Sequence, residues 1–245
     1  QICKPNGSII GNLHESYSTN LRLKLIGANE LEFKIPYLVD RHHKLINNPN
    51  IPKIKNKYLI KLTLGAYVEW YIIDNLSNTQ EDDSDYLFVQ SFSLEYQLND
   101  RLIRDYAPTS IKLPDIMDAI LANTSWSMGS YPTEFNSVYR AFDVSSISVL
   151  AFILEIAEKY GLIAIFDTAN KQVDFYKKED VGGNKGLVFT ETKYLKTVSD
   201  GIDNSKFCTR LKPYGKDGLT INKANPIKQN YIEDYTYFIT PFTRD

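Results

Sequence analysis

Cysteine, histidine, tryptophan and methionine are all scarce in this sequence: its 245 residues carry two Cys, three His, two Trp and two Met. Cys3 and Cys208 lie far apart, which is no disulfide framework and points to assembly in a reducing environment. His14, His42 and His43 all fall within the first 43 residues, and HExxH, HxH and paired CxxC patterns are missing. Solvated loop histidines are therefore the reading, with no metal and no cofactor expected. With no histidine after residue 43 to act as base, Cys208 reads as a buried or half-exposed structural thiol, and no GxSxG supplies a serine nucleophile. No apolar run approaches a membrane span, and no signal peptide is visible. A net charge of -2 gives no electrostatic case for nucleic-acid binding.

What the chain has in quantity is aromatic surface, with 17 Tyr and 12 Phe, which suits strand packing and protein interfaces. Its 43% hydrophobic and 24% charged residues are ordinary for a globular protein, and the length allows one large domain or two. Charge is unevenly placed. Residues 1–60 carry nine Lys/Arg against four acids, whereas residues 61–100 carry one Lys against eight acids. Such opposed patches could pair subunits, although a solvated surface is the plainer reading. The chain opens on Gln1 and closes on Thr243-Arg244-Asp245, so a fragment of a longer polypeptide is expected.

Residues 1–103 read as short strands separated by turns. Leu21, Leu23 and Leu25 alternate with Arg22, Lys24 and Ile26, and Leu31–Ile35 follows, closed by Pro36. Residues 40–57 read as a loop. Tyr58–Leu64, Gly65-Ala66 and Tyr67–Ile73 make a hairpin, and Tyr86–Leu98 is long enough for a bent strand. Many short antiparallel strands suggest a small barrel or sandwich. Leu113, Ile116, Met117, Ile120 and Leu121 then form one helical stripe, with Pro114 harmless in the first turn. Residues 145–160 read as a second helix, N-capped by serine and stopped by Gly161. Leu162–Phe166 reads as an inner strand, Asp167–Lys171 as a turn, and Gln172–Tyr176 as the returning strand. Strands return at 187–190, 194–198, 207–214, 219–221 and 231–239.

Nothing in this order converges on a reaction. Asp115 and Asp118 suit a helix start, Glu155 with Lys159 is a surface pair at i, i+4, and Gly182–Gly186 lacks the GK[ST] ending of a phosphate loop. Trp70 and Trp126 could offer a sugar-stacking face, but isolated aromatics in strand-like contexts belong more often to a core.

Cys208-Thr209-Arg210-Leu211-Lys212-Pro213-Tyr214-Gly215-Lys216-Asp217-Gly218-Leu219-Thr220-Ile221 resembles the T-R-L-x-x-Y-G-K-D-G-L-T-I signature of phage tail proteins labelled prophage endopeptidase tail or tail-associated lysin. Asn123–Trp126, Ile153–Gly161 with Phe166-Asp167, Glu69–Ile73 and Asn230–Asp234 resemble further segments of that family in the same order. The resemblance implies an α+β baseplate-hub subunit. Residues 1–103 would be a first β-barrel domain, 104–185 a small α/β domain, and 186–245 the start of a second β-barrel. Three copies would form a homotrimer ring closing the tail tube, two barrels per copy matching a sixfold tube. Distal tail protein, tail tube and tape-measure proteins would be partners, together with receptor-binding proteins. DNA would meet the ring only in passage, and the host cell wall indirectly. Any lytic activity would belong to other domains, so this chain is expected not to be an enzyme. A cell-wall endopeptidase and a carbohydrate-binding receptor module remain as alternatives.

Overall fold

The computed structural model describes residues 1–81, 84–182, 208–215 and 218–236. The chain divides into two compact units, Gln1–Lys185 and Gly186–Asp245. The class is α+β and mostly strand. The first unit begins with β1 (Ile2–Cys3), β2 (Ile9–Gly11), β3 (Tyr17–Arg22), β4 (Glu30–Pro36), β5 (Leu38–Arg41), β6 (Lys44–Asn47), β7 (Leu59–Leu64), β8 (Tyr67–Glu81) and β9 (Ser84–Ser93). Seven of these pair in the order β2-β1-β7-β8-β9-β4-β3. All pairings in this sheet are antiparallel.

The expected barrel is an open sheet among the described residues, because β2 and β3 are its two edges and no ladder joins them. The sheet curls, so that Leu31 and Phe33 on one wing and Ile60 and Leu62 on the other line a cavity of about 620 Å³. Its inner face is otherwise filled: Ile2, Ile35, Tyr71, Ile73 and Val89 are sealed from water and pack as one cluster. Strand β8 slips register between Ile73 and Asn75. Before this bulge Tyr71 and Ile73 point inward, and after it Leu76 does, so one extra residue shifts the alternation by one position.

Two expectations here are corrected. The alternation over residues 21–26 does not continue as a strand: β3 ends at Arg22, and Leu23, Leu25 and Ile26 are exposed. The stretch 40–57 is not simply a loop, since β5 and β6 form a hairpin and Ile51–Lys53 a 3₁₀ turn. The hairpin tip is His42-His43, with φ of 55° and 61°. Such two-residue turns favour Asn-Gly, and a side chain in the left-handed region costs about 1–2 kcal/mol per residue.

From Leu94 to Asp100 the chain is a 3₁₀ helix, where sequence alternation suggested more strand. Then come β10 (Leu102–Tyr106), β11 (Ile111–Lys112), α1 (Leu113–Leu121), β12 (Ser127–Met128), β13 (Tyr139–Arg140), β14 (Val144–Ser148), α2 (Val149–Tyr160), β15 (Leu162–Asp167) and β16 (Gln172–Lys177). Helix α1 buries all five residues of its stripe. Helix α2 starts later than the sequence suggests, because Ser146 and Ile147 are spent on an antiparallel ladder with β10. Its cap is Ser148, whose Oγ accepts from the Ala151 amide at 3.2 Å.

Strand β15 lies at the edge of the order β12-β16-β15 and is not an inner strand. Leu162, Ala164 and Phe166 pack on the main core, while Ile165 stands 38% exposed. The turn into β16 is held by Asp167, which accepts from the Ala169 and Asn170 amides at 2.9 and 3.0 Å. The main core joins α1, α2, β15 and β16 to Cys3, Leu59 and Ile72 of the large sheet.

Gly161 ends α2 in the left-handed region at φ 71°, with its amide closing on Ala157 and Glu158 carbonyls. A Cβ there would meet nothing within 4 Å, so the backbone alone sets the cost of substitution. Gly161→Ala is expected to lower stability by about 1 kcal/mol. An unchanged urea midpoint would show that the cap carries no strain.

In the second unit, β17 (Arg210–Leu211) pairs antiparallel with β18 (Ile232–Glu233). The strands expected at 187–190 and 194–198 lie outside the described residues, as do residues 237–239; of the strand expected over 231–239, only β18 forms within the described part.

Candidate functional site

Residues that sequence offered for chemistry stay apart. His14, His42 and His43 are exposed in the first unit. Among the described residues no three His, Cys, Asp or Glu side chains gather into a metal-holding group. Cys208 is exposed, which corrects the expected buried or half-exposed thiol, and Cys3 is buried. Asp115 and Asp118 are both exposed on α1, and Glu155 pairs with Lys159 at 3.0 Å. Trp126 is 4% exposed, edge-on to Phe166 at 5.9 Å, so its ring presents no stacking face. Trp70 is half-buried beneath Lys61, whose Nζ lies 5.4 Å from the ring centre.

What the structure does bring together is a knot of buried polar groups that sequence did not single out. Tyr67, Glu69 and Tyr71 share one face of β8 through its period of two. Both phenols donate to Glu69 Oε2, and Asn29 Nδ2 donates to Oε1 at 2.9 Å. Ser93 joins the group at the end of β9: its Oγ accepts from the Asn29 amide at 2.7 Å and donates to Glu95 Oε1 at 2.5 Å. Glu69 is 7% exposed and Glu95 2%. Among the described residues, Glu95 Oε2 is buried without a partner.

Burial raises the Glu95 carboxyl to about 7, helped by the neighbouring Glu69 charge and opposed by the Ser93 hydrogen bond. Tyr67 is pushed up to about 12, first by burial and then by donating to Glu69. Tyr71 is pushed up for the same two reasons. Phenols held this firmly protonated act as fixed donors, so the knot is a charge-bearing support without a nucleophile or an acid–base pair aimed at a substrate. It borders a cleft of about 150 Å³, also lined by Lys24, Leu25 and Ile165. The only available signal was Glu69 in phase with two tyrosines; Glu95, between Leu94 and Tyr96, gave none.

The signature residues occupy a surface hairpin of the second unit. Thr209 accepts from the Asp234 amide at 3.0 Å. Arg210 pairs with Glu233, its Nε at 2.5 Å, and its guanidinium lies 4.7 Å from the Tyr231 ring centre. Leu211 and Tyr214 are exposed. Tyr214 bridges to Thr220, the Gly215 amide donates to the Leu219 carbonyl at 2.7 Å, and Gly218 takes φ 78°. Lys216 and Asp217 lie outside the described residues.

Residues 2–91 match the YOMG N-terminal domain family. Across its whole length the chain is 34% identical to the SPbeta prophage-derived uncharacterized protein YomG of Bacillus subtilis strain 168, and it spans 28% of that protein. Its fold is similar to prophage tail protein gp18 from Listeria monocytogenes EGD-e, with a TM-score of 0.59 and 15% identity over 89% of this chain and 63% of that one. It is also similar to the 43 kDa tail protein of prophage MuSo2 from Shewanella oneidensis, with a TM-score of 0.50 and 13% identity over 64% and 47% of the two chains. The chain is thus similar along its whole length to part of YomG, its residues 2–91 match the YOMG N-terminal domain, and its fold is similar to that of prophage tail proteins.

Proposed function

We propose that this chain is a structural subunit of a phage tail tip. It would be a baseplate-hub segment whose copies form a threefold ring at the end of the tail tube. The observation that carries the reading is the fold shared with gp18 over 89% of the chain, together with its likeness to a prophage-derived protein along its full length. The curled sheet of the first unit would form the barrel-like wall, and the strands of the second would open another such domain. On this reading the ring joins the tail tube, distal tail and tape-measure proteins to receptor-binding parts. Receptor engagement shifts its interfaces, and DNA passes through the opened lumen. The residues proposed to matter are interface residues, and no catalytic step is assigned to them.

Two measurements test this. Class averages of the purified chain are expected to show threefold rings, and a mass of one copy at all concentrations would overturn the ring. Incubation with peptidoglycan is expected to release no soluble fragments, whereas release would favour a lysin.

A further inference from the structure

The ring reading leaves open which surfaces meet, and the described residues offer two that match. The first is the cleft beside Glu69 and Glu95. It holds an unpartnered carboxylate oxygen on a side chain that is 2% exposed. Lys24 lines the same cleft, but among the described residues it makes no ion pair with either carboxylate. Around it stand Leu23, Leu25 and Ile26, each at least 60% exposed, and Ile165. A buried acceptor ringed by open apolar side chains suits a cation carried on an apolar support.

The second surface is the β5–β6 hairpin. Its tip carries Arg41 and Lys44 either side of two histidines held at positive φ. Leu38, Leu45 and Ile46 are exposed along it. Two side chains stand where glycine would be easier, and the strained turn presents both at the tip.

The two surfaces lie at opposite ends of the same sheet. The cleft is at the Asn29–Ser93 end, and the hairpin leaves from Tyr37, whose amide donates to the Asp85 carbonyl at 3.2 Å. Strand β4 separates them by seven residues, about 20 Å. The base of the hairpin therefore lies a full strand length from the cleft of its own chain. Complementary patches at opposite ends produce head-to-tail contacts, which close into a ring when the rotation between copies closes and otherwise run on as a filament.

We propose that the β5–β6 hairpin of one copy docks its basic tip into the Glu69–Glu95 cleft of the next, with Leu45 and Ile46 covering Leu25 and Ile26. This rests on the ring reading above and assigns its contact. In a Cys208→Ser background, Leu25→Cys protein and His43→Cys protein are mixed and treated with a short bismaleimide. Cross-linked species are expected from the mixture and from neither protein alone. Arg41→Glu with Lys44→Glu is expected to abolish the cross-link and shift the mass from three copies to one, with the circular dichroism unchanged.

Threefold rings without the 25–43 cross-link overturn the contact and leave the ring. Cross-linked ladders that never close into trimers keep the contact and overturn the ring. Cross-linking of His43→Cys alone would mean that hairpin meets hairpin, and overturns the head-to-tail arrangement. A monomer with no cross-link overturns both, and a receptor or another tail protein then becomes the occupant of the cleft.

Discussion

Phe152→Ala is expected to destabilise the first unit by about 3–5 kcal/mol, the range for deleting a fully buried aromatic ring. Phe152 is sealed from water on α2, edge-on to Phe142 at 5.5 Å and to Tyr106 at 6.0 Å. Those partners lie just before β14 and on β10, so one ring ties the helix both to the segment that leads into it and to a strand more than forty positions earlier. The cavity left by alanine would be lined from three sides and could collapse only by moving the helix. A urea titration followed by circular dichroism measures the loss. Leu102→Ala provides the contrast: at 55% exposure it is expected to change stability by less than about 1 kcal/mol. Equal effects from the two substitutions would show that the packing described around α2 is wrong.

The second large effect is a pH dependence centred on Glu95. Its carboxyl titrates at about 7 in the folded chain against 4.5 as the reference value. Below about 4.5 both states are protonated and the neutral side chain costs little to bury. As pH rises to about 7 the unfolded chain releases its proton while the folded chain keeps it, so stability falls. Above that the loss is complete, at about 3 kcal/mol as an upper figure. Asp167 works in the opposite direction: its carboxyl is held low by hydrogen bonds from Asn170, so its contribution is lost as pH falls. The difference between wild type and Glu95→Gln isolates the one group. The variant is expected to gain up to about 3 kcal/mol at pH 8 and roughly 1 kcal/mol or less at pH 5. Parallel urea midpoints across that range would mean that Glu95 is solvated.

How much of this was legible in the sequence depended on whether the cause was local. Helix α1 was readable because its stripe and Pro114 are properties of nine adjacent residues. Gly161 marked the end of α2 for the same reason. The start of α2 was not readable, since Ser146 and Ile147 are drawn into a strand by Arg104 and Ile103, more than forty positions earlier. Leu23 and Leu25 alternate like a strand, but the partner β4 begins only at Glu30, opposite Arg22. The β5–β6 hairpin was missed because His42-His43 replaces the Asn-Gly that usually announces such a turn. Glu95 was invisible because an acid among apolar residues reads as solvent-facing until tertiary contacts cover it. The signature segment carried the resemblance, and it is a surface element held by its own Tyr214–Thr220 bridge and by Glu233 of β18.

The bulge at Asp74 has a consequence for how this part of the chain can vary in length. Because Asp74 is one residue more than the ladder needs, deleting it would leave Leu76 opposite Val89 and keep both faces where they are, with the strand straightened. An insertion would instead have to widen the bulge or turn Leu76 to solvent. Shortening by one residue is accordingly tolerated at this position, and lengthening is not.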